Sequence, residues 1–427
     1  MNRIALIFSF LVCSAPLFAQ QPVSEKPRVL ISTDIGGTDP DDNQSMIHLL
    51  MYSDMFDIEG LVSSPSYGYG NENQILRAIG LYEKDLPNLR KHRKDFPSPE
   101  YLRSVTKQGR RGGAPYVGYT KASEGSDWII KCAQKKSDRP LWVLVWGGLD
   151  DVAQALHDAP EIQSKIKVYW IGGPNKKWSV NSYAYIAENF PDLWFIEVNA
   201  SYRGFFSNTG VPDSLNTDNY YARYIRGAGY LGKDFKRYYD GRIKMGDTPS
   251  VLYMMNGVPN NPQGESWGGS FEKMNHSPRI IFNQNATIAD TVPVYSVLEF
   301  HLKGPKIEIP SDSTCFTLKV AGQKWGGFYL GNGNYGVRYA PKKAETLTYT
   351  ITSGIPGFRD REGTFVVDDH WPGKPGPADY QLGTNWYTDR SDPKLFDGQW
   401  QGAKTILKWR NEALLDWAKR WKWLSEK

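Results

Sequence analysis

The segment Thr33-Asp34-Ile-Gly-Gly-Thr-Asp39-Pro-Asp41-Asp42 places four carboxylates within nine residues. Like charges at this spacing repel one another and raise each other's pKa values unless a cation lies among them. Hard divalent ions such as Ca²⁺ bind several carboxylate oxygens together with backbone carbonyls, and the two glycines allow the loop to curl. The alternative is that Asp41 or Asp42 only caps the following helix. Because one cap needs one Asp, the whole cluster favours a metal site.

The elements that must position this loop alternate between strand and helix. Apolar runs predict buried strands over 28–32, 58–62, 141–146, 166–171 and 193–197. Helical spacing predicts helices over 42–52, 73–83, 123–134 and from 151 onward. This alternation indicates an α/β fold with a mostly parallel sheet flanked by helices. Ligands bind such sheets at the carboxyl ends of the strands, and the polar clusters after Ser32, Trp146 and Ile171 are expected there.

The pattern changes to β-rich near residue 286. Segments 291–302, 315–320 and 346–352 predict antiparallel strands, and 355–400 predicts long ordered loops because it is rich in Gly, Pro, Asp and Trp. Apolar residues at helical spacing over 403–424 predict an amphipathic helix that docks on the core. The predicted organisation is therefore a signal peptide over 1–19, an α/β core over 20–285, a β-rich insertion over 286–370, and loops and a helix over 371–427 that return to the core.

Composition excludes several classes of protein. The chain has 427 residues, 14% of them aromatic, and a net charge of +5. This composition is globular rather than disordered, and the charge is too mild to indicate a nucleic-acid polymer as partner. Because no apolar run of spanning length follows the first 20 residues, no membrane span is expected. The sequence does not indicate an oligomeric state.

The N-terminus has the features of an export signal. Arg3 supplies a positive start, residues 4–12 are apolar, and Ala19 is a suitable cleavage position. A lipoprotein signal at Cys13 is the less favoured alternative, because Val12 stands where a small residue is needed. We therefore expect a bacterial type I signal peptide and a periplasmic or extracellular protein.

The opening motif resembles that of the nucleoside-hydrolase superfamily, and most closely its sugar-binding or cellulose-binding relatives. Nucleoside hydrolases begin with Asp-x-Asp-Pro-Gly-x-Asp-Asp after a strand. Here Ser32-Thr33-Asp34 matches its start, with Ser in place of the first Asp, and Asp41-Asp42 matches its end. Further matching stretches lie at 124–126, 141–156, 171–175, 202–204, 246–250 and 266–269. The resemblance covers about 27–285 and resumes near 385–425.

The resemblance implies a set of site residues. Asp34 would bind Ca²⁺ and activate the attacking water, Asp42 would be a bidentate ligand, and Asp41 would accept hydrogen bonds from sugar hydroxyls. Asp247 would be the late carboxylate ligand. The backbone carbonyl of Asp150 would be a further ligand, with its carboxylate capping the next helix. Asn181 is a weaker match to a sugar-contacting Asn.

The substrate implied is a sugar rather than a nucleobase derivative. Gly246 stands where nucleoside hydrolases often have His, and no base-recognising group is identifiable. Export and the many Trp residues favour a carbohydrate, whose rings stack on flat aromatic faces. Trp178 and Trp267, together with Tyr67 and Tyr183, are candidate platforms, although packing explains any one of them equally well. Glu265 and Glu72 are candidate acids, with a salt bridge as the favoured alternative for each.

Three functions remain open on the sequence. The leading hypothesis is an exported Ca²⁺-dependent glycoside hydrolase in which Asp34 activates a metal-bound water. The first alternative is a non-catalytic carbohydrate-binding protein that uses the same metal site to hold diols. The second is a nucleoside N-ribohydrolase.

Overall fold

The computed structural model describes residues 25–37 and 39–425, so the predicted signal peptide lies outside the described residues. The described strands are β1 (Arg28–Thr33), β2 (Asp57–Ser63), β3 (Thr106–Gln108), β4 (Leu141–Val145), β5 (Ile166–Ile171), β6 (Trp194–Val198), β7 (Phe271–Lys273), β8 (His276–Ser277), β9 (Arg279–Phe282), β10 (Thr291–Pro293), β11 (Val297–Lys303), β12 (Thr314–Val320), β13 (Gln323–Gly331), β14 (Asn334–Tyr339), β15 (Glu345–Thr352), β16 (Arg361–Asp368), β17 (Tyr380–Gln381) and β18 (Trp386–Asp389).

The described α-helices are α1 (Asp41–Met51), α2 (Glu72–His92), α3 (Pro99–Ser104), α4 (Glu124–Ala133), α5 (Asp150–Asp158), α6 (Pro174–Trp178), α7 (Val180–Asn189), α8 (Gly229–Phe235), α9 (Thr248–Met255) and α10 (Lys404–Ser425). Among residues 25–37 and 39–425, no helix combines the length and the apolar character needed to cross a bilayer.

The first sheet has the strand order β3-β2-β1-β4-β5-β6-β18-β7. All neighbouring strands are parallel except β18 and β7, which are antiparallel. The central strands are buried along their whole length, as expected for a sheet covered on both faces. The predicted α/β fold, with a mostly parallel sheet flanked by helices and a β-rich C-terminal region, is confirmed.

Two hydrophobic cores cover the faces of this sheet. One contains side chains from α1, α2, α9 and α10, including Trp417 and Trp421 of α10, so the C-terminal helix docks on the core as its spacing predicts. The other contains side chains from α4, α5 and α7 together with most of the apolar residues of the second sheet. The β-rich region therefore shares a hydrophobic core with the α/β unit.

The prediction of loops throughout 355–400 is wrong. This segment contains β16, β17 and β18, and β18 completes the first sheet beside β6. Trp386 is fully buried, and the ring of Phe195 stacks on it at 4.4 Å. The strand is four residues long and lies among turn-forming residues, so its apolar pattern is too short to predict it.

The second sheet has the order β10-β16-β15-β12-β13-β14-β11-β9 and is antiparallel except for its two outermost pairs. Glu299 on β11 is the centre of a buried charge cluster within this sheet. Its carboxylate accepts hydrogen bonds from Arg338 at 2.6 Å, Arg279 at 2.9 Å and His301 at 3.0 Å. Burial opposes ionisation of Glu299, but the bond from His301 and the charge of Arg338 hold its pKa well below the usual range.

Replacing Glu299 with glutamine should destabilise the protein by about 2–3 kcal/mol, because it leaves buried guanidinium groups without their counter-charge. We would measure this as a lower midpoint of urea unfolding. The matched control is Glu83→Gln, which removes an exposed ion pair with Arg103 and should cost less than about 1 kcal/mol. Equal midpoints for the two variants would contradict the role of Glu299.

Candidate functional site

Asp34 directly follows β1 and lies against the loop that follows β4. A Cβ atom on Gly147 would come within 2.7 Å of the Asp34 Cβ, so glycine is needed where the two loops cross. The backbone N–H of Gly37 donates to the Asp34 carbonyl at 2.9 Å, and Gly36 has a φ of +91°. The loop therefore curls at its two glycines, which brings Asp34 to the carboxyl edge of the sheet.

Three carboxylates group beside Asp34. One oxygen each from Asp41, Asp42 and Asp247 lie within 4.8 Å of one another, and we call these three residues the acidic cluster. The first two begin α1, and Asp247 immediately precedes α9. Asp42 accepts a hydrogen bond from the Thr33 hydroxyl, and Asp247 accepts one from the Ser45 hydroxyl at 3.4 Å.

The fourth carboxylate of the loop has a separate partner. The ammonium group of Lys244 donates to Asp39 at 2.6 Å, and both side chains are partly exposed. Asp39 is therefore not one of the grouped carboxylates. The N-cap position of α1 is Pro40, without a side-chain cap, so neither Asp41 nor Asp42 occupies the capping position that the alternative interpretation assigned to it.

The electrostatics of the cluster favour a bound cation. Burial raises the pKa of Asp34 to about 6. Burial also raises the pKa values of Asp41, Asp42 and Asp247 well above the usual range, and repulsion among the neighbouring carboxylates adds to this. A divalent ion among these oxygens would relieve both penalties. The donor set, carboxylate oxygens with neighbouring hydroxyls, is the type that hard cations prefer.

Gly246 shapes the cluster from the other side. A Cβ atom at this position would lie 2.8 Å from Asp41 Oδ2, and the Tyr202 ring is 3.5 Å away. A histidine here, as nucleoside hydrolases often have, would displace the Asp41 carboxylate. The glycine and the acidic cluster are therefore fitted to each other.

Asp150 is not a member of the acidic cluster. It is the first residue of α5, and its carboxylate accepts hydrogen bonds from the Ala114 N–H at 2.6 Å and from the hydroxyls of Ser179 at 2.9 Å and Ser182 at 3.2 Å. The expectation that this carboxylate caps its own helix is wrong. The carboxylate instead joins α5 to α7 and to the loop that contains Ala114. The residue of the β4–α5 loop that contacts Asp34 is Gly147.

Asn181 lies between the two sheets. Its amide nitrogen donates to the Ala114 carbonyl at 3.0 Å, and its amide oxygen accepts from Arg338 at 3.5 Å. The amide oxygen therefore links α7 to the β-rich region, and the amide nitrogen links it to the loop that contains Ala114. These contacts give it a positioning role within the protein.

Trp178 contacts the loop that follows β2. Its ring is 4.3 Å from that of Tyr67 and 5.3 Å from that of Trp325. Ser66, next to Tyr67 in the chain, interacts with the Asp34 carboxylate. Trp178 therefore contacts other aromatic side chains, and one of them, Tyr67, follows a residue that interacts with Asp34.

Glu265 and Trp267 lie at the far end of α9. Asp247 precedes the first turn of this helix. The backbone N–H of Trp267 donates to the carbonyl of Asn256 at the C-terminal end of the helix, which lies roughly 12 Å from the first turn. Glu265 pairs with Lys408 and accepts from the Trp409 indole. The structure therefore does not bring these two residues to the carboxylates.

Sequence reasoning missed a buried ion pair close to the carboxyl ends of the strands. The Lys176 ammonium donates to Glu197 at 2.7 Å, and both side chains are fully buried. Asn199 and Tyr183 also bond to the Glu197 carboxylate. The available signal was a glutamate inside the otherwise apolar strand β6, since a buried charge needs a partner.

Comparisons with known proteins agree with this architecture. A family model described as "Cellulose-binding Sde182, nucleoside hydrolase-like domain" matches residues 28–271. A second, "Domain of unknown function (DUF5060)", matches residues 291–354. Among curated proteins, none matches the chain significantly.

One solved structure has the same fold. The chain is similar to a nucleoside hydrolase-related hypothetical protein from Saccharophagus degradans that is associated with carbohydrate metabolism, with 22% identity, coverage of 80% of this chain and 99% of that chain, and a TM-score of 0.50. A putative glycoside hydrolase from Bacteroides vulgatus shares 28% identity over 18% of this chain and 16% of its own, with a TM-score of 0.17. An inosine-uridine preferring nucleoside hydrolase from Bacillus anthracis shares 16% identity over 59% of this chain and 86% of its own, with a TM-score of 0.39.

Proposed function

The chain belongs to the family of the cellulose-binding Sde182, nucleoside hydrolase-like domain, and from that premise we propose that it binds a carbohydrate at a Ca²⁺ site and hydrolyses a glycosidic bond there. The observation that carries the proposal is the acidic cluster, in which two buried carboxylates and the half-buried Asp41 meet at the carboxyl edge of a parallel sheet beside Asp34. Ligands bind α/β proteins at this edge.

Asp34, Asp42 and Asp247 are the proposed Ca²⁺ ligands, with the backbone carbonyl of Asp150 as a further one, and Asp41 is grouped with Asp42 and Asp247. A bound Ca²⁺ would supply a Lewis-acid charge that orients vicinal hydroxyls and favours deprotonation of water. Asp34 would accept the proton of the water that attacks the anomeric carbon. Asp41, the least buried member of the acidic cluster, would also accept hydrogen bonds from sugar hydroxyls.

The second candidate is a carbohydrate-binding protein without catalysis. It is favoured by the family's description as cellulose-binding. Because the same carboxylates could hold a diol without cleaving a bond, the site geometry is compatible with both functions. A nucleoside substrate is less favoured, since Gly246 stands before Asp247 at the position where nucleoside hydrolases often have a histidine.

Export and the division of the chain into regions are also part of the proposal. A cellulose-type ligand would be met outside the cytoplasm, which supports an exported protein. We keep the divisions 20–285, 286–370 and 371–427, supported by the separate family match at 291–354 and by the return of β18 and α10 to the first unit.

The test is a substrate screen of the purified protein in EDTA and in Ca²⁺. Aryl glycosides, cello-oligosaccharides and nucleosides would be offered, and released sugar measured. We expect Ca²⁺-dependent release from a glycoside. Sugar binding without turnover would favour the second candidate, and cleavage of nucleosides alone would favour a nucleoside hydrolase. The absence of both binding and turnover would contradict the proposal.

Replacing Gly246 with alanine should weaken Ca²⁺ binding by about tenfold or more, a typical cost of disturbing the support of a metal ligand. The added methyl group would press on Asp41 Oδ2. Calorimetric titration of Ca²⁺ measures the change. Gly80→Ala is the matched control, because a Cβ there meets nothing within 4 Å. Equal affinities for the two variants would contradict the fit between Gly246 and the cluster.

A further inference from the structure

Three aromatic rings from distant parts of the chain pack against one another. The Tyr67 ring, in the loop after β2, is 4.3 Å from the Trp178 ring at the end of α6. The Trp178 ring is 5.3 Å from that of Trp325 on β13, nearly parallel to it at 15°. We call these three residues the aromatic stack.

The inner end of the stack is fixed by the second sheet. Trp325 is 8% exposed, its indole N–H donates to the Lys177 carbonyl at 3.3 Å, and the Tyr339 ring packs against it edge-on at 4.7 Å. The Lys177 ammonium donates to Gln323 at 2.7 Å. The β-rich region therefore supplies a rigid base for the stack.

The outer end of the stack faces solvent. Tyr67 is 48% exposed, and Tyr69, two residues later, is 69% exposed. Trp178 offers less free surface, because Tyr67, Trp325 and the Lys177 ammonium all contact its ring. Adjacent exposed aromatic side chains on an ordered base are typical of ligand-binding surfaces, so Tyr67 is the ring available for stacking.

The loop that carries the exposed ring lies next to the loop that contains Asp34. Ser66 interacts with Asp34 and donates to Asn175 at 2.8 Å, which fixes the loop that carries Tyr67. The Tyr67 carbonyl lies 3.6 Å from the position of a Cβ on Gly37, inside the loop that holds the carboxylates. A ligand that is bound at the acidic cluster and extends past this loop would therefore contact Tyr67.

We propose that Tyr67, supported by Trp178 and Trp325, stacks on the sugar ring next to the one held at the acidic cluster, so that the protein takes an oligosaccharide rather than a single sugar. The inference rests on the proposed carbohydrate function and assigns the β-rich region a part in it. The flat apolar face of one pyranose ring fits the exposed face of Tyr67. The hydroxyl groups of the neighbouring ring are the ones that Asp41 would bind.

The experiment is calorimetry in saturating Ca²⁺ with glucose, cellobiose and cellotetraose, chosen because the family is described as cellulose-binding. Wild-type protein should bind cellotetraose more tightly than glucose. Tyr67→Ala should weaken cellotetraose binding by about three- to tenfold and leave Ca²⁺ affinity unchanged. Tyr67→Phe, which keeps the ring, should retain wild-type affinity. Trp325→Ala should reproduce part of the loss.

The matched control is Tyr230→Ala, since Tyr230 is 49% exposed and lies on α8, away from the stack. It should bind cellotetraose as the wild type does. Unchanged cellotetraose affinity in Tyr67→Ala, with sugar binding present in the wild type, would overturn this inference and leave the proposed function standing. Absence of binding to all three saccharides in the wild type would overturn this inference, and the substrate screen alone would then decide the proposed function.

Discussion

Replacing Asp34 with asparagine should lower the rate of glycoside hydrolysis by about a thousandfold, the usual contribution of a positioned base. Asparagine has nearly the same size and keeps the contacts with Ser66 and Gly147, so the fold should be preserved. It cannot accept the proton of the attacking water at neutral pH. The measurement is kcat with the glycoside identified in the screen, together with the circular dichroism spectrum of the variant.

The matched control is Asp39→Asn. Asp39 belongs to the same loop and carries the same charge, but its carboxylate pairs with Lys244 and is not grouped with the others. Its replacement should change kcat by less than about threefold, because an exposed ion pair contributes little. Full activity in Asp34→Asn, or equal losses in the two variants, would remove Asp34 as the base.

Metal-free protein should lose stability as the pH rises, and Ca²⁺ should restore it. The pKa of Asp34 is raised by burial from its usual 3.8 to about 6, so the folded chain holds this proton more tightly than the unfolded chain. Stability therefore falls as the pH rises from about 4 to 6, by about 3 kcal/mol for this group. The raised pKa values of Asp41, Asp42 and Asp247 extend the loss to higher pH.

Bound Ca²⁺ offsets this loss, since an ion that binds only the folded state stabilises it by about 4 kcal/mol at a thousand times its Kd. The measurement is the unfolding temperature at pH 5, 6.5 and 8, each in EDTA and in Ca²⁺. The increase caused by Ca²⁺ should grow with pH.

Asp42→Asn is the informative variant for this experiment. It removes one buried charge, so at pH 8 it should raise the unfolding temperature of the metal-free protein and reduce the increase caused by Ca²⁺. The same unfolding temperature with and without Ca²⁺ in the wild type at all three pH values would contradict the metal site.

Several local elements of the fold could be predicted from the sequence because each of them has a strong pattern of its own. The strands from 28–32 to 193–197 are apolar runs, and Ser123 caps α4 through a capping box with Ser126. The order of the strands could not be predicted, and β18 was missed. Its neighbour β6 is distant in sequence, and only packing against Phe195 reveals it.

Two of the three residues of the acidic cluster could be predicted from their spacing in the sequence. Asp41 and Asp42 are adjacent in the sequence and lie close to Asp34 and Asp39, so like-charge repulsion alone indicates a site. Asp247 lies 202 residues beyond Ser45, with which it bonds, and only the resemblance to a known family pointed to it. The aromatic stack was not predictable as a unit, because Tyr67, Trp178 and Trp325 meet only through tertiary packing.

The most direct test of the Ca²⁺ site is a calorimetric titration of Ca²⁺ into metal-free wild-type protein and into Asp247→Ala. We expect one Ca²⁺ per chain in the wild type with a Kd of about 1 mM or lower, and an affinity at least about tenfold weaker in the variant, which loses one of three grouped carboxylates. No binding by the wild type, or the same affinity in both proteins, would contradict the account.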